Sequence, residues 1–222
     1  MITALPYTIT QETYNKLLES IPEFDHRLVL NEPSSNFFYD SWTIKKEFCN
    51  TALSEALECL PFDIGEARLM RLKPGKAYYS HADIDDRFHL NISGIESYLI
   101  DLNSKIMHPT YNDNTWYEMD AGIKHSAVNF GNIDRIQLVV RKLLNKNKLN
   151  NSVLVSIILE EFRHDYRYVF DKTFSPWINR AIKQGTVNNF SLKDDQVYFE
   201  IEEQLLNEIE KITPKGFKIK CQ

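Results

Sequence analysis

The stretch that decides the fold runs from Met70 to Arg141, and its first part, residues 70–83, reads MRLKPGKAYYSHAD. His81 and Asp83 stand two residues apart at the end of that part, and His125 follows forty-two residues after Asp83. On a strand, residues i and i+2 share a face and lie about 7 Å apart, so both can bind one metal ion. Two histidines and one carboxylate can occupy one face of an octahedral ferrous ion and leave the opposite face open. The spacing therefore predicts a metal site at His81, Asp83 and His125.

An arginine follows the second histidine of this predicted metal site. Arg135 stands ten residues after His125, inside the apolar run 135–140, RIQLVV. Each element alone is common, since HxD also occurs at solvated strand ends and an arginine can lie on an edge strand facing water. An inward-facing arginine, however, is costly without a partner. Because a guanidinium binds a carboxylate through two parallel hydrogen bonds, we expect Arg135 to bind the far carboxylate of a metal-chelating dicarboxylate.

Short strands separated by turns surround these residues. Strands are predicted at Ala67–Lys73, Lys76–Asp83, Arg87–Ile92, Ser97–Leu102, Thr115–Met119 and Asp134–Leu143. Pro74-Gly75 and the sequence Asp120-Ala121-Gly122 mark turns between them. Many short strands without intervening helices are typical of antiparallel sheets closed into a sandwich or barrel. We predict a mainly β fold with α-helices, built on a jelly-roll, cupin-like barrel whose mouth is the ligand site.

Helical patterns flank the predicted barrel. Apolar residues recur at helical spacing in Thr10–Ser20 and Asn50–Leu60, which predicts two N-terminal helices. The polar residues 145–151 indicate a boundary between a barrel over 1–144 and a C-terminal helical subdomain over 145–222. Helices are expected there over Val153–Tyr168, from Ser175-Pro176 to near Gly185, and over Asp194–Ile212. This subdomain could close over a small substrate or form the face of a homodimer.

Composition excludes several classes of function. The 222-residue chain is 43% hydrophobic, which indicates a globular protein, and its formal net charge of −5 without a dense basic face argues against nucleic-acid binding. The sequence shows no signal peptide and no apolar run of about eighteen residues, so no membrane association is expected. Cys49, Cys59 and Cys221 lack CxxC spacing and are interpreted as reduced thiols. We expect a cytoplasmic protein, in a host cytoplasm if the gene is viral.

Several motifs together resemble the aspartyl/asparaginyl/prolyl hydroxylase family of iron- and 2-oxoglutarate-dependent oxygenases. The resemblance covers about residues 66–143. It depends on Arg71-Leu-Lys-Pro-Gly75, His81-Ala-Asp83, Arg87-Phe-His89-Leu90, Trp116, Asp120-Ala121, His125-Ser-Ala-Val-Asn-Phe130 and Arg135. The family implies a double-stranded β-helix core. The C-terminal segment is similar in placement to that of bacterial free-proline hydroxylases, and Asp83 favours that branch because peptidyl aspartyl/asparaginyl hydroxylases can lack the carboxylate ligand.

The resemblance also implies roles for individual residues. It makes His81, Asp83 and His125 the Fe(II) ligands, with 2-oxoglutarate and dioxygen as the other reactants and succinate and carbon dioxide as co-products. It places the 5-carboxylate of 2-oxoglutarate on Arg135 and its other carboxylate near His89. The remaining implied contacts are Gln137 for the cosubstrate, where relatives often have serine, and Arg87, Asn129 and Trp116 for the substrate, although Trp116 also suits the barrel core.

Some questions stay open at the level of sequence. The acidic run Asp83-Ile-Asp85-Asp86 either tunes substrate choice or is solvated, and we favour solvation. Free proline or a similar small amino acid is the first substrate expected, and a prolyl, aspartyl or asparaginyl side chain of a protein the second. A non-catalytic cupin-like binding module, or a Mn or Zn barrel that catalyses isomerisation or hydrolysis, is the alternative function. Of the other histidines, His108 is expected in a loop before Pro109 without a partner at ligand spacing, His164 is expected on a charged helical face, and no role is predicted for His26.

Overall fold

The computed structural model describes residues 2–158, 166–193, 196–213 and 218–221. Strands and helices are numbered in chain order. The N-terminal part contains β1 (Ile2–Thr8), α1 (Gln11–Ser20), β2 (Arg27–Val29), β3 (Asn31–Pro33), β4 (Trp42–Ile44) and α2 (Ala52–Glu58). The central part contains β5 (Ile64–Leu72), β6 (Arg87–Ser93), β7 (Ser97–Asp101), β8 (Ile106–Pro109), β9 (Thr115–Met119), β10 (His125–Asn129) and β11 (Arg135–Lys142). The C-terminal part contains β12 (Ser152–Ile158), α3 (Tyr166–Lys183), β13 (Val187–Lys193), β14 (Gln196–Glu202), α4 (Leu206–Ile212) and β15 (Lys218–Cys221).

Two antiparallel sheets form the barrel. The larger sheet has the strand order β1-β9-β6-β11-β5-β2, and the smaller one has the order β10-β7-β8. The segment before the HxD motif joins the smaller sheet through isolated bridges from Ala77 to Val128 and from His81 to His125. Along the chain from β5 to β11, the segments alternate between the two sheets except for the hairpin β7–β8, whose strands both lie in the smaller sheet, which is the order of a jelly roll. The predicted mainly β, double-stranded β-helix barrel is therefore confirmed.

Side-chain alternation gives the larger sheet two different faces. Its outer face is apolar and packs against α1 and α2, with Leu90 and Leu138 fully buried at the centre of that core. Its inner face has the intervening residues of the same strands, among them His89 and Gln137. Because successive residues of a strand point to opposite faces, every second side chain of β6 and β11 reaches the barrel interior.

The C-terminal part differs from the sequence prediction. It contains a four-stranded sheet, in the order β13-β14-β12-β15, with α3 and α4, so the prediction of a purely helical subdomain was wrong. The predicted helix Val153–Tyr168 begins as β12, and its residues 159–165 lie outside the described part of the chain. The predicted helix Asp194–Ile212 begins as β14, and only its second half is helical. Nothing in the described residues tests the boundary at 144/145.

Smaller differences concern loops and ends. Lys76–Asp83 forms bridges rather than a regular strand, and His108 lies in β8 instead of a loop. Pro176 lies inside α3, which ends at Lys183 close to the expected end. The three cysteines are free and exposed. Among the described residues, no helix has the length and apolar character needed to cross a bilayer.

Candidate metal centre

The two histidines meet through their backbones. His81 and His125 form an antiparallel bridge in which each backbone N–H donates to the other's carbonyl, at 2.9 and 2.8 Å. The bridge places both imidazoles on the same side, with ring centroids 4.4 Å apart. Strand register thus brings together two histidines that are distant in sequence, as binding of one metal ion by both side chains requires.

Asp83 completes the cluster. Its Oδ2 lies 4.0 Å from His81 Nε2 and 3.8 Å from His125 Nε2. Its backbone N–H donates to the Ala121 carbonyl at 2.7 Å, which fixes the loop after His81. The three ligand atoms lie within 4.8 Å of one another, and no other described residues form such a group of three. A single cation between these atoms would contact all three.

Backbone carbonyls fix the tautomer of both histidines. His81 Nδ1 lies 2.9 Å from the Tyr79 carbonyl, and His125 Nδ1 lies 2.7 Å from the Ile123 carbonyl. Because a carbonyl only accepts, each Nδ1 carries the proton and each Nε2 keeps its lone pair for a metal. Burial lowers the pKa of His125, and the neighbouring His81 lowers it further, which favours the neutral ligand form. The cluster is compatible with a facial-triad iron site.

The second oxygen of Asp83 is held by an arginine. Arg87 Nη2 donates to Asp83 Oδ1 at 3.0 Å, while Arg87 Nη1 donates to the carboxylate of Asp85. Asp85 also accepts from Arg141 Nε at 2.6 Å. Burial alone would raise the pKa of Asp83, but Arg87 and the histidines lower it to about 2. Arg87 therefore orients the carboxylate of Asp83, and it also lines the cavity in which the predicted substrate contact would lie.

The carboxylates of the acidic run are paired with cations or amides, contrary to the solvated interpretation. Asp85 is 5% exposed and lies between two guanidinium groups. Asp86 Oδ1 lies 3.3 Å from Asn179 Nδ2 and Oδ2 lies 3.0 Å from Lys183 Nζ, so the half-buried Asp86 contacts α3. The run therefore joins the interior of the barrel to the C-terminal part of the chain.

A cavity of about 180 Å³ extends from the cluster into the barrel. Arg135, His89 and Gln137 line it together, as the resemblance implies. Arg135 donates to Gln137 Oε1, and His89 Nδ1 lies 3.2 Å from the same oxygen. Burial and the charge of Arg135 lower the pKa of His89 to about 3, so its imidazole is neutral. Burial lowers the pKa of Arg135 to about 10, which leaves it charged at neutral pH.

Two predicted substrate contacts lie elsewhere. Trp116 is fully buried in the apolar core on the outer face of the larger sheet, so it cannot contact a ligand in the cavity. Asn129 is also fully buried, and its Nδ2 donates to the carbonyls of Leu72 and Ile133, both at 2.8 Å. These hydrogen bonds fix the loop before β11. Trp116 therefore belongs to the core, in agreement with its other interpretation, and neither side chain lines the cavity.

Arg68 is a site residue that the sequence analysis missed. It lines the cavity from β5 and donates to Glu66, while its Nε is buried without a hydrogen-bond partner among the described residues. Arg68 stands two residues before Met70 on the same strand, and residues i and i+2 of a strand share a face. Because Met70 also lines the cavity, this spacing is the sequence signal that could have identified Arg68. Of the other histidines, His26 is exposed beside Asp25, and His164 lies outside the described residues.

Comparisons with known proteins give limited guidance. No protein-family model matches the sequence, and no relative is found among the curated proteins. The fold is similar to that of an oxidoreductase of the 2OG-Fe(II) oxygenase family from Burkholderia pseudomallei, with 10% identity, a TM-score of 0.41, and coverage of 63% of this chain and 84% of that one. CapF, crystallised with the inhibitor 3-isopropenyl-tropolone, shows 17% identity and a TM-score of 0.32 over 58% of this chain and 35% of its own.

Proposed function

We propose that this protein is an Fe(II)/2-oxoglutarate-dependent dioxygenase that hydroxylates a small molecule. One observation carries the proposal: Arg135 is buried, lines the same cavity as the metal cluster, and has no carboxylate partner among the described residues. A buried guanidinium without a counter-ion is costly. A ligand carboxylate would remove that cost, and 2-oxoglutarate has one carboxylate for Arg135 and an oxo-acid group for a metal.

The residues of the cluster suit a ferrous ion. Two imidazole nitrogens and one carboxylate oxygen converge, and all three ligands line the same cavity. Bound iron with 2-oxoglutarate and dioxygen would supply oxidative decarboxylation to succinate, coupled to hydroxylation of a C–H bond. The chain holds the three ligand atoms in place, and Arg87 leaves one oxygen of Asp83 free to face the metal.

The far end of the cavity suits the cosubstrate. Gln137 Oε1 lies between Arg135 and His89 and accepts from the guanidinium. Because Gln137 Oε1 only accepts, the proton of the neutral His89 ring lies on Nδ1. His89 Nε2 is buried without a partner among the described residues, so its lone pair can accept a hydrogen bond from a donor group of a ligand in the cavity.

The finer assignment of the substrate is also a proposal. A free amino acid such as proline, or a prolyl, aspartyl or asparaginyl side chain of a protein, follows from the sequence resemblance alone. The cavity of about 180 Å³ is smaller than the ~300–1,000 Å³ that drug-sized ligands occupy, which favours a small substrate. The charges of the residues that line the cavity also restrict the class of substrate.

The test is anaerobic addition of Fe(II) and 2-oxoglutarate to the purified protein. We expect a weak visible charge-transfer band, because the keto and carboxylate oxygens of 2-oxoglutarate would chelate the iron. Admission of oxygen should then yield succinate slowly, even without a second substrate. A folded protein that binds Fe(II) but gives neither the band nor succinate would refute the proposal, and it would favour the Mn or Zn barrel or the binding module.

A further inference from the structure

The charges around the cavity are unbalanced. Three guanidinium groups line it, those of Arg68, Arg87 and Arg135, whereas Asp83 is the only carboxylate among the described lining residues. Asp83 faces the imidazoles with one oxygen and Arg87 with the other. Both oxygens are therefore in use once a metal is bound.

Two more carboxylates lie behind the lining, and each is shared by two arginines. Glu66 accepts from Arg27 and Arg68. Asp85 accepts in the same way from Arg87 and Arg141. The interior thus has more guanidinium groups than carboxylates before any ligand is bound. A divalent cation and a dicarboxylate bring equal and opposite charges, so binding of both leaves this positive excess unchanged.

The excess of positive charge around the cavity disfavours a substrate with an ammonium group. No carboxylate on the described cavity lining is free to pair with it, because Asp83 is occupied. An unpaired ammonium group in a buried, positively charged site loses its hydration, and no new interaction offsets the free-energy cost. A substrate anion, in contrast, reduces the excess charge of the site.

Arg68 is the guanidinium placed to bind that anion. Its side chain is 17% exposed, compared with 6% for Arg87, and it lines the cavity. Only one of its nitrogens donates to Glu66, and its Nε has no partner among the described residues.

We propose that the substrate is a small organic acid without an ammonium group, whose carboxylate binds Arg68. Its hydrocarbon part would contact the apolar lining residues Met70, Leu99 and Val139. This inference rests on the proposed oxygenase function and narrows its substrate class. It departs from free proline, which the sequence resemblance favours, because proline brings an ammonium group into the cavity.

Matched pairs of ligands test the proposal. Cyclopentanecarboxylate and L-proline differ mainly in the ring ammonium, and pentanoate and L-norvaline differ only in the α-amino group. Each is added to the protein loaded anaerobically with Fe(II) and 2-oxoglutarate, and binding is measured as a change in the visible band. Succinate formation in air is measured separately. We expect each acid to bind at least about tenfold more tightly than its amino counterpart and to stimulate succinate formation more.

The outcomes separate the two proposals. Absence of the band in the wild-type protein counts against the oxygenase function itself. A normal band with amino acids binding as tightly as the acids, or with neither acid binding, overturns the inference alone. Stimulation by neutral peptides and not by the acids overturns it as well.

Two variants locate the anion site. Arg68→Gln and Arg27→Gln each remove one partner of Glu66, but only Arg68 lines the cavity. We expect Arg68→Gln to weaken binding of the acids about tenfold while the 2-oxoglutarate band is retained, and Arg27→Gln to leave both unchanged. Arg68→Lys keeps the charge and should recover part of the binding. Loss of the band in a folded Arg68→Gln protein would mean that Arg68 binds the cosubstrate, and it would overturn the assignment.

Discussion

A chain of alternating charges supports the metal cluster at the level of single residues. Arg141 contacts Asp85, Asp85 contacts Arg87, and Arg87 contacts Asp83. Arg87 takes one oxygen of Asp83 and leaves the other near the two imidazoles. The carboxylate is therefore predisposed to bind a metal through one oxygen only, and the surrounding arginines keep it ionised.

We expect Arg87→Met to weaken metal binding, because loss of a residue that orients a ligand typically costs about 10–100-fold in affinity.

Arg135→Met should instead weaken 2-oxoglutarate binding and leave metal affinity within about twofold, since Arg135 contacts Gln137 and none of the metal ligands. Both affinities are measured by anaerobic titration calorimetry, first with Fe(II) and then with 2-oxoglutarate. If both variants lost the two affinities equally, the separate roles would be wrong. Arg87→Lys is the control for charge without the second hydrogen bond.

A buried histidine makes the stability of the protein sensitive to acid. Burial, followed by the charge of Arg135, lowers the pKa of His89 from 6.5 to about 3. Below pH 6.5 the unfolded chain binds a proton at this position that the folded protein does not take up until about pH 3. The free energy of unfolding therefore falls as the pH drops through this window.

His89→Gln removes this proton uptake. Between about pH 7 and about pH 5, we expect the wild-type protein to lose about 2 kcal/mol more stability than the variant does. Urea unfolding curves at the two pH values measure the difference. Other titrating groups are shared by both proteins and cancel in the comparison. An equal loss in both proteins would show that His89 is protonated in the folded state or is accessible to water.

The spacing of residues in the sequence predicted the three residues of the metal cluster. It missed the residues whose role depends on a partner on another strand. His81, Asp83 and His125 were identifiable because HxD and a distal histidine have a characteristic spacing. Arg68 and Arg141 were not identified, because their roles depend on which strands are neighbours and on the register between them. Asp85 looked like part of a solvated acidic run for the same reason, since its partner Arg141 is 56 residues away.

Among the helices, α3 contacts both loops that carry metal ligands. Asn179 lies 3.3 Å from Asp86, three residues after Asp83, and it also packs against Gly122, three residues before His125. Lys183, one turn further along α3, contacts Asp86 at 3.0 Å and Asp120 at 2.9 Å. The C-terminal part of the chain thus helps to set the distance between the two loops.

Gly122→Ala tests this contact. A Cβ at position 122 would lie 2.8 Å from Asn179 Cβ and closer still to its amide, so either α3 or the loop before His125 must move. We expect metal affinity to fall at least about tenfold, measured by Fe(II) titration under nitrogen. Gly65→Ala is the matched control, because its Cβ would meet neighbouring atoms at 3.5 Å, an ordinary contact. Unchanged metal affinity in Gly122→Ala would show that the loops are positioned without α3.

The C-terminal elements show why spacing alone can mislead. Val197 and Ile201 stand four residues apart, which suggested a helix, but four is also an even number of strand positions. Phe199 between them is buried as well, so the buried residues alternate along β14 as they do on a strand. The strands β5, β6, β7, β9 and β11 were predicted near their observed bounds, and the turn residues Pro74-Gly75 mark the end of β5, whereas β8 and β10 were not predicted. No such turn signal separates β14 from α4.

At the scale of the whole molecule, one aromatic ring lies between the barrel and the C-terminal sheet. Phe38 comes from the N-terminal part of the chain, yet it belongs to the apolar cluster of the C-terminal sheet and meets Phe190 edge to face at 4.9 Å. The guanidinium of Arg141, in the barrel strand β11, lies 4.5 Å from the Phe38 ring centroid. The Phe38 carbonyl also accepts from the Leu144 backbone N–H at 2.9 Å. The same ring therefore links the second core to the charge chain behind the metal cluster.

We expect Phe38→Ala to destabilise both parts together, by about 3–5 kcal/mol, because a nearly buried aromatic ring leaves a cavity at their junction. Hydrogen exchange in rising urea, read by mass spectrometry, should show β11 and β14 losing protection at one common concentration. That concentration should fall in the variant for both strands. Phe130→Ala is the control, since this ring is 61% exposed and its loss should change stability by no more than about 0.5 kcal/mol. If β14 lost protection well before β11, the two parts would be separate folding units, and the shared ring would contribute little to holding the metal ligands in place.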